Sequence, residues 1–145
     1  MESNVVSFTE ITQDLFGIHT ERIKLYTQAL QDDKETELDI RSIFERIIEQ
    51  SIKCRQQLSK TFDKRTDNKG DVYKAWAEVK IKAPAIGGSK KTIAAACLDD
   101  GLAVLNAYSL ALSFVTDKEI QDLLLSQQQE LQQLHAHIRQ YHDAQ

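Results

Sequence analysis

This chain has four histidines, and their spacing from acidic residues tests whether they could bind metal ions. A two-iron site in a helical bundle takes a carboxylate from each of two helices and a Glu-x-x-His pair from each of the other two. That spacing matters because residues three apart project from one helical face. Three positions before each histidine this chain has no acidic residue: Phe16 precedes His19, Gln132 precedes His135, Leu134 precedes His137 and Arg139 precedes His142. The complete two-iron motif is therefore absent from the sequence.

A reduced site for one metal ion stays open as an alternative. It would combine Glu21 or His19 with Asp100 and His135, a mixture of carboxylate and imidazole ligands that suits zinc, manganese or iron. We favour the simpler interpretation, in which His19 and His135 are half-buried and hydrogen-bonded across a bundle, because inward polar residues of bundles usually fix helix register. We therefore expect no cofactor, with one transition-metal ion as the alternative.

Other catalytic patterns are weaker still. Gly87-Gly88-Ser89 has neither the preceding strand nor the spacing of a phosphate-binding loop, so it indicates a hinge before a helix. No nucleophile elbow is present. Cys54 and Cys97 fall on apolar helical rows, where cysteine behaves as a small hydrophobic residue, although a disulfide between helices remains open. These observations favour a protein without enzymatic activity.

Four long helices must position these residues. Apolar residues recur at helical spacing over residues 7–31, 38–61, 90–115 and 117–142, and a single proline among 145 residues leaves few breaks. Capping patterns at Ser7–Glu10 and Thr116–Glu119, and Ser89 alone, predict three of the helix starts. Residues 63–89 form a crossover, in which the spacing of Val72, Tyr73, Trp76 and Val79 predicts a short helix over 71–82.

The loop lengths predict how these helices connect. Short links join the first helix to the second and the third to the fourth, so each pair should form an antiparallel hairpin, whereas the crossover joins the two hairpins. Two hairpins with one long crossover is the ferritin-like connectivity. The sequence therefore predicts an all-α, single-domain, ferritin-like four-helix bundle.

Four segments also resemble a known family: Leu15–Tyr26, Trp76 in the crossover, Leu98–Leu112 and Glu130–Arg139. They are similar to an uncharacterised bacterial family of ferritin-like four-helix proteins, the domain-of-unknown-function 2383 family. The markers of that family correspond in this chain to Tyr26, Trp76, Asp100, Tyr108 and His135. Glu21-Arg22 departs from an acidic-glycine pair, and Asp100 stands where the family often has Glu. The resemblance spans residues 8–139 and implies a fold without implying an activity.

Charge is distributed unevenly along the chain. Residues 53–91 carry eleven Lys or Arg against four Asp or Glu, a balance of +7, whereas the remainder carries −11. We favour a solvated crossover whose lysine stems cover apolar surface over nucleic-acid binding, because the acidic remainder would repel phosphates. A third interpretation is self-association, in which the basic crossover of one copy contacts the acidic helix ends of another. The candidate partner surface comprises Tyr73, Trp76, Lys80 and Lys82.

The first ten residues lack the basic and apolar regions of a signal peptide, and no apolar run reaches the roughly 20 residues of a membrane span. We therefore expect a cytoplasmic protein without membrane contact. The hypothesis from sequence is a non-enzymatic binding or assembly module that forms a homodimer or another homo-oligomer.

Overall fold

A computed structural model describes residues 8–32, 37–63, 69–78 and 88–145. These residues contain five helices and no strand: α1 (Phe8–Asp32), α2 (Leu38–Ser59), α3 (Asp71–Ala77), α4 (Lys90–Phe114) and α5 (Lys118–Asp143). The all-α prediction is confirmed. The four long helices begin and end within two residues of the predicted bounds. The predicted short helix 71–82 ends earlier, at Ala77, and residues 79–82 lie outside the described part of the chain.

Side-chain caps explain two of the helix starts. Ser89 precedes α4 and its side chain accepts a hydrogen bond from the amide of Thr92, as predicted. At α5 the cap is one residue later than predicted, since Asp117 and not Thr116 accepts from the amide of Ile120, at 3.0 Å. An aspartate also adds its negative charge at the helix N-terminus, which the helix dipole favours. The predicted cap at Ser7 lies outside the described residues.

The long helices pack as a bundle. α1 makes its most extensive contacts with α2, and α4 makes its most extensive contacts with α5. Smaller contacts join α1 to α4 and α2 to α5, while α3 lies against α4 and α1. By length and composition α4 is the one helix among the described residues that could cross a membrane, and half of its most apolar segment is buried against its neighbours.

Two apolar clusters fill the bundle interior. One includes Ile18, Leu58 and Tyr108, and the other includes Tyr26 and Ile47. Between them along α1, α2 and α4 are buried polar residues: His19, Arg22, Ser51 and Asp100. The helical rows that build the two apolar clusters therefore also bring a polar layer together inside the bundle.

Candidate functional site

Asp100 is the most heavily bonded side chain of this polar layer, and its residue has no exposed surface. Its Oδ2 accepts from Arg22 Nε at 3.0 Å and from the Tyr26 hydroxyl at 2.7 Å. Its Oδ1 accepts from Trp76 Nε1 at 2.8 Å. A buried charge is tolerated when it is paired and hydrogen-bonded. Three donors from α1 and α3 supply that pairing for the carboxylate of α4.

Arg22 carries the compensating positive charge and is itself buried. Burial would lower the pKa of its guanidinium, but the Asp100 carboxylate outweighs burial and leaves this pKa above its usual value. Its Nη1 donates to Ser51 Oγ at 3.1 Å. Arg22 therefore stays charged and ties α1 to α2 as well as to α4.

His19 continues the network from Ser51 toward α5. Its Nδ1 lies 3.0 Å from Ser51 Oγ, and its Nε2 lies 2.8 Å from the Tyr108 hydroxyl. Tyr108 donates its only hydroxyl proton to Gln127 Oε1 at 2.7 Å, so it accepts from His19. His19 is therefore assigned as the neutral tautomer with its proton on Nε2, accepting from Ser51 at Nδ1. Burial and the nearby Arg22 guanidinium lower the pKa of His19 well below its usual value, which agrees with a neutral ring.

In this hydrogen-bond network each residue donates to the next in one direction. Arg22 donates to Ser51, Ser51 to His19, His19 to Tyr108 and Tyr108 to Gln127. Gln127 Nε2 then donates to the Cys54 carbonyl at 3.2 Å and to the Gln57 side chain at 3.0 Å. With Trp76 on Asp100, all five helices contribute at least one member. Such a satisfied network rigidifies an interior and specifies one arrangement of its helices.

The short helix α3 is held at a second point by Asp14 of α1. The two carboxylate oxygens of Asp14 accept from the amides of Gly70 and Tyr73, at 3.0 and 3.3 Å. Desolvation by burial raises the pKa of Asp14 in spite of these bonds. Asp14 at its start and Trp76 near its end therefore fix α3 across α1 and α4.

The candidate metal ligands do not form one donor set in this structure. Asp100 is bonded to Arg22, and both ring nitrogens of His19 are engaged. Glu21 is half-buried on α1, and His135 lies on α5 with its ring against Gly101. No group of three or more His, Cys, Asp or Glu side chains suited to a metal ion occurs among the described residues. The Arg22 guanidinium, moreover, pairs with Asp100 Oδ2, and its positive charge disfavours a second cation on that carboxylate.

The candidate partner surface needs a correction. Trp76 is only 7% exposed, because its indole donates to buried Asp100, so it belongs to the interior and not to a docking surface. Tyr73 is half-buried, with its ring packed edge-on against Trp76 and beneath the Lys69 ammonium. Lys80 and Lys82 lie outside the described residues.

The basic stretch is also partly neutralised within the protein. Lys53 pairs with Glu130 at 3.1 Å, and Lys90 pairs with Glu37 and Asp39 at 2.6 and 2.9 Å. Lys60, Lys69 and Lys74 are exposed around the end of α2 and along α3. The positive charge available to a partner is therefore smaller than the sequence balance indicates.

Sequence reasoning missed Arg22 and Gln127. Arg22 lies four residues from both Ile18 and Tyr26, on the same buried row of α1. An arginine there, opposite the inward Asp100, was the available signal for the ion pair. Gln127 lies three residues after Leu124 and four before Leu131, on the buried row of α5, so its position in that row was the available signal in a glutamine-rich helix.

Comparisons with models of protein families, with curated proteins and with solved structures each found no match to this chain. The resemblance to the domain-of-unknown-function 2383 family therefore stays a prediction.

Proposed function

We propose that this protein is a ferritin-like helical bundle that acts as a non-enzymatic binding or assembly module. Two extensively packed helix pairs, α1 with α2 and α4 with α5, support the proposed connectivity. The link between α2 and α4 carries the short helix α3, which suits a crossover between two hairpins.

The observation that carries this proposal is the pairing of Asp100 with Arg22 inside the bundle. A carboxylate of a bundle interior can bind a metal or act as a base only if its lone pairs are available. Three hydrogen bonds fill most of the roughly four acceptor positions of the Asp100 carboxylate, and His19 is engaged at both nitrogens. Interior polar groups that hydrogen-bond one another give a rigid scaffold. Such a scaffold contacts its partners through its outer surface.

We propose a second copy of this chain as the partner. Lys60, Lys69 and Lys74 are exposed near α3, whereas the sequence outside residues 53–91 carries a balance of −11. Complementary charges of this kind steer association and weaken as salt rises. The proposed dimer joins the basic region around α3 of one copy to acidic helix surface of the other.

Two measurements on native, untagged protein test the proposal. Sedimentation equilibrium should give a dimer or larger assembly that dissociates as salt rises, and that the Lys60→Glu/Lys74→Glu variant weakens. Lys24→Glu, an equal charge reversal per site on an exposed position of α1, serves as the control. A monomer under all conditions contradicts assembly. About one transition-metal ion per chain by elemental mass spectrometry, lost in His135→Ala, would instead support the metal-binding alternative.

A further inference from the structure

Two buried side-chain atoms, Gln50 Oε1 and His135 Nε2, have no hydrogen-bond partner within the described part of the chain. Buried polar atoms of native proteins are nearly always satisfied by protein, water or a ligand. Leaving one unsatisfied costs about 1–3 kcal/mol. Both atoms belong to residues that line the same small cavity.

The cavity lies among α1, α2, α4 and α5, and Arg22, Cys97 and Gly101 contribute to its wall. About 10 Å³ of it is open, which is room for one water-sized group. Gln50 and Leu134 also line a surface groove of about 450 Å³ between α2 and α5. Among the described residues, Gln50 and Leu134 line both the cavity and the groove, so the two spaces adjoin at these side chains.

The orientation of Gln50 directs its oxygen inward. Its Nε2 donates to the carbonyl of Glu130 at 2.9 Å, which leaves Oε1 on the buried side. A rotation of the Gln50 side chain toward the groove breaks that hydrogen bond. On the opposite wall of the cavity, the His135 ring packs against Gly101 of α4. A Cβ at Gly101 would lie 3.6 Å from the ring.

Charge around the cavity selects the occupant. Burial, Arg139 and Arg22 lower the pKa of His135, so its ring is neutral at physiological pH. The Arg22 guanidinium disfavours a cation, and an anion such as a carboxylate has no donor for Gln50 Oε1. A neutral group with an O–H or N–H donor satisfies Gln50 Oε1, and neutral imidazole can accept from or donate to the same group.

We propose that the α2–α5 groove and this cavity form one binding site for a small uncharged molecule, whose hydroxyl or primary amide head bonds Gln50 Oε1 and His135 Nε2. The remainder of the molecule lies in the groove, beside Arg46, Glu49 and Gln133. The opening of this site lies between α2 and α5, away from α3. The inference goes beyond the proposed self-association and does not depend on it.

Acetamide is the first probe, because it carries a primary amide on a single methyl group. Titration into ¹⁵N-labelled protein should produce saturable NMR shifts of the Gln50 side-chain amide and the His135 ring. Acetate and methylammonium, charged molecules of similar size, should bind about tenfold more weakly or not at all. Gln50→Leu and His135→Asn should each weaken acetamide binding about tenfold. Gln132→Leu, at an exposed position of α5 that lines neither the groove nor the cavity, should leave it unchanged.

The result that overturns the proposal is equally specific. Absence of saturable shifts, equal binding of the three probes, or unchanged binding in a folded Gln50→Leu or His135→Asn variant would each reject the site. A long-lived water that contacts the His135 ring and persists at the highest acetamide concentration would show a site for water only, which also rejects it. The oligomeric state enters none of these outcomes, so failure here is distinguishable from failure of the assembly proposal.

Discussion

Arg22 Nε lies 3.0 Å from Asp100 Oδ2, and the two side chains are 3% and 0% exposed. An ion pair so deeply buried contributes little net stability, because desolvation of both charges offsets their attraction. Its effect is on specificity: each charge is tolerated only when α1 and α4 meet at this register. We interpret the pair, with Tyr26 and Trp76 on the same carboxylate, as the device that selects one arrangement of the helices.

Removing one charge of this pair should be far more damaging than removing both. Asp100→Asn keeps the shape of the side chain but leaves the Arg22 guanidinium buried and unpaired, and it should lower the free energy of unfolding by about 3–5 kcal/mol. The Arg22→Met/Asp100→Asn double variant should recover most of that loss, because no buried charge remains. Urea denaturation gives each value.

Asp99→Asn provides the matched control, since Asp99 is the exposed neighbour of Asp100 on α4. It should change stability by less than about 0.5 kcal/mol. If Asp100→Asn is as mild as Asp99→Asn, or if the double variant is less stable than Asp100→Asn alone, the buried pair does not act as described.

The helices and the inward positions of Ser51, Asp100 and Tyr108 follow from apolar periodicity, which is strong in long amphipathic segments. The partners of Asp100 do not follow from it. Trp76 was assigned to a partner surface because it lies within the basic stretch of the crossover. Its four-residue spacing from buried Val72 instead places it on the inner face of α3, where its indole donates to Asp100. Hydrogen bonds between residues 24 to 89 positions apart depend on helix register and rotation, which a periodic pattern leaves unspecified.

Acid should destabilise the protein through His19. Its folded pKa is lowered, so between the unfolded value of about 6.5 and the folded value only the unfolded state binds the proton. The free energy of unfolding therefore falls as pH drops below about 6.5, by up to about 1.4 kcal/mol per pH unit for this one group. His135, whose pKa is also lowered, adds a contribution of the same sign.

His19→Gln removes that titration and should flatten the slope below pH 6.5, although the variant is less stable at pH 7 because the hydrogen bonds of His19 are altered. His137→Gln, at an exposed position of α5, should keep the wild-type slope. Urea denaturation across this pH range measures both. A wild-type slope in His19→Gln would show that the acid sensitivity has another origin.

Alanine at two glycines should shift stability in opposite directions. A Cβ at Gly70 would lie 2.7 Å from Asp14 Oδ2, so Gly70→Ala should displace the carboxylate that caps α3 and cost about 1 kcal/mol or more. At Gly17, within α1, the nearest atom to a Cβ is a Tyr73 ring carbon at 3.5 Å, which is ordinary contact. Gly17→Ala should stabilise the protein by about 0.5–1 kcal/mol through helix propensity.

Fluorescence of Trp76, the single tryptophan, reports this difference directly. A buried indole emits to the blue of an exposed one, so Gly70→Ala should move the emission to the red if α3 loosens, and Gly17→Ala should leave it unchanged. Equal effects of the two alanines would contradict the role given to Asp14.

Both cysteine thiols should be unreactive in the folded protein. Burial raises the pKa of Cys54 to about 11 and that of Cys97 to about 12, and neither is paired in a disulfide. Because the thiolate is the reacting species, a thiol-specific disulfide reagent should modify them only when the bundle opens. The rate of modification should therefore rise with urea. It should rise further in the destabilised Asp100→Asn variant, since opening is then more frequent.

Ser113→Cys is the control: it places a thiol at an exposed position of the same helix as Cys97 and should react at once without urea. Prompt modification of either native cysteine without denaturant would mean that the bundle interior opens under native conditions. The scaffold proposal, which requires a rigid interior, would then be wrong.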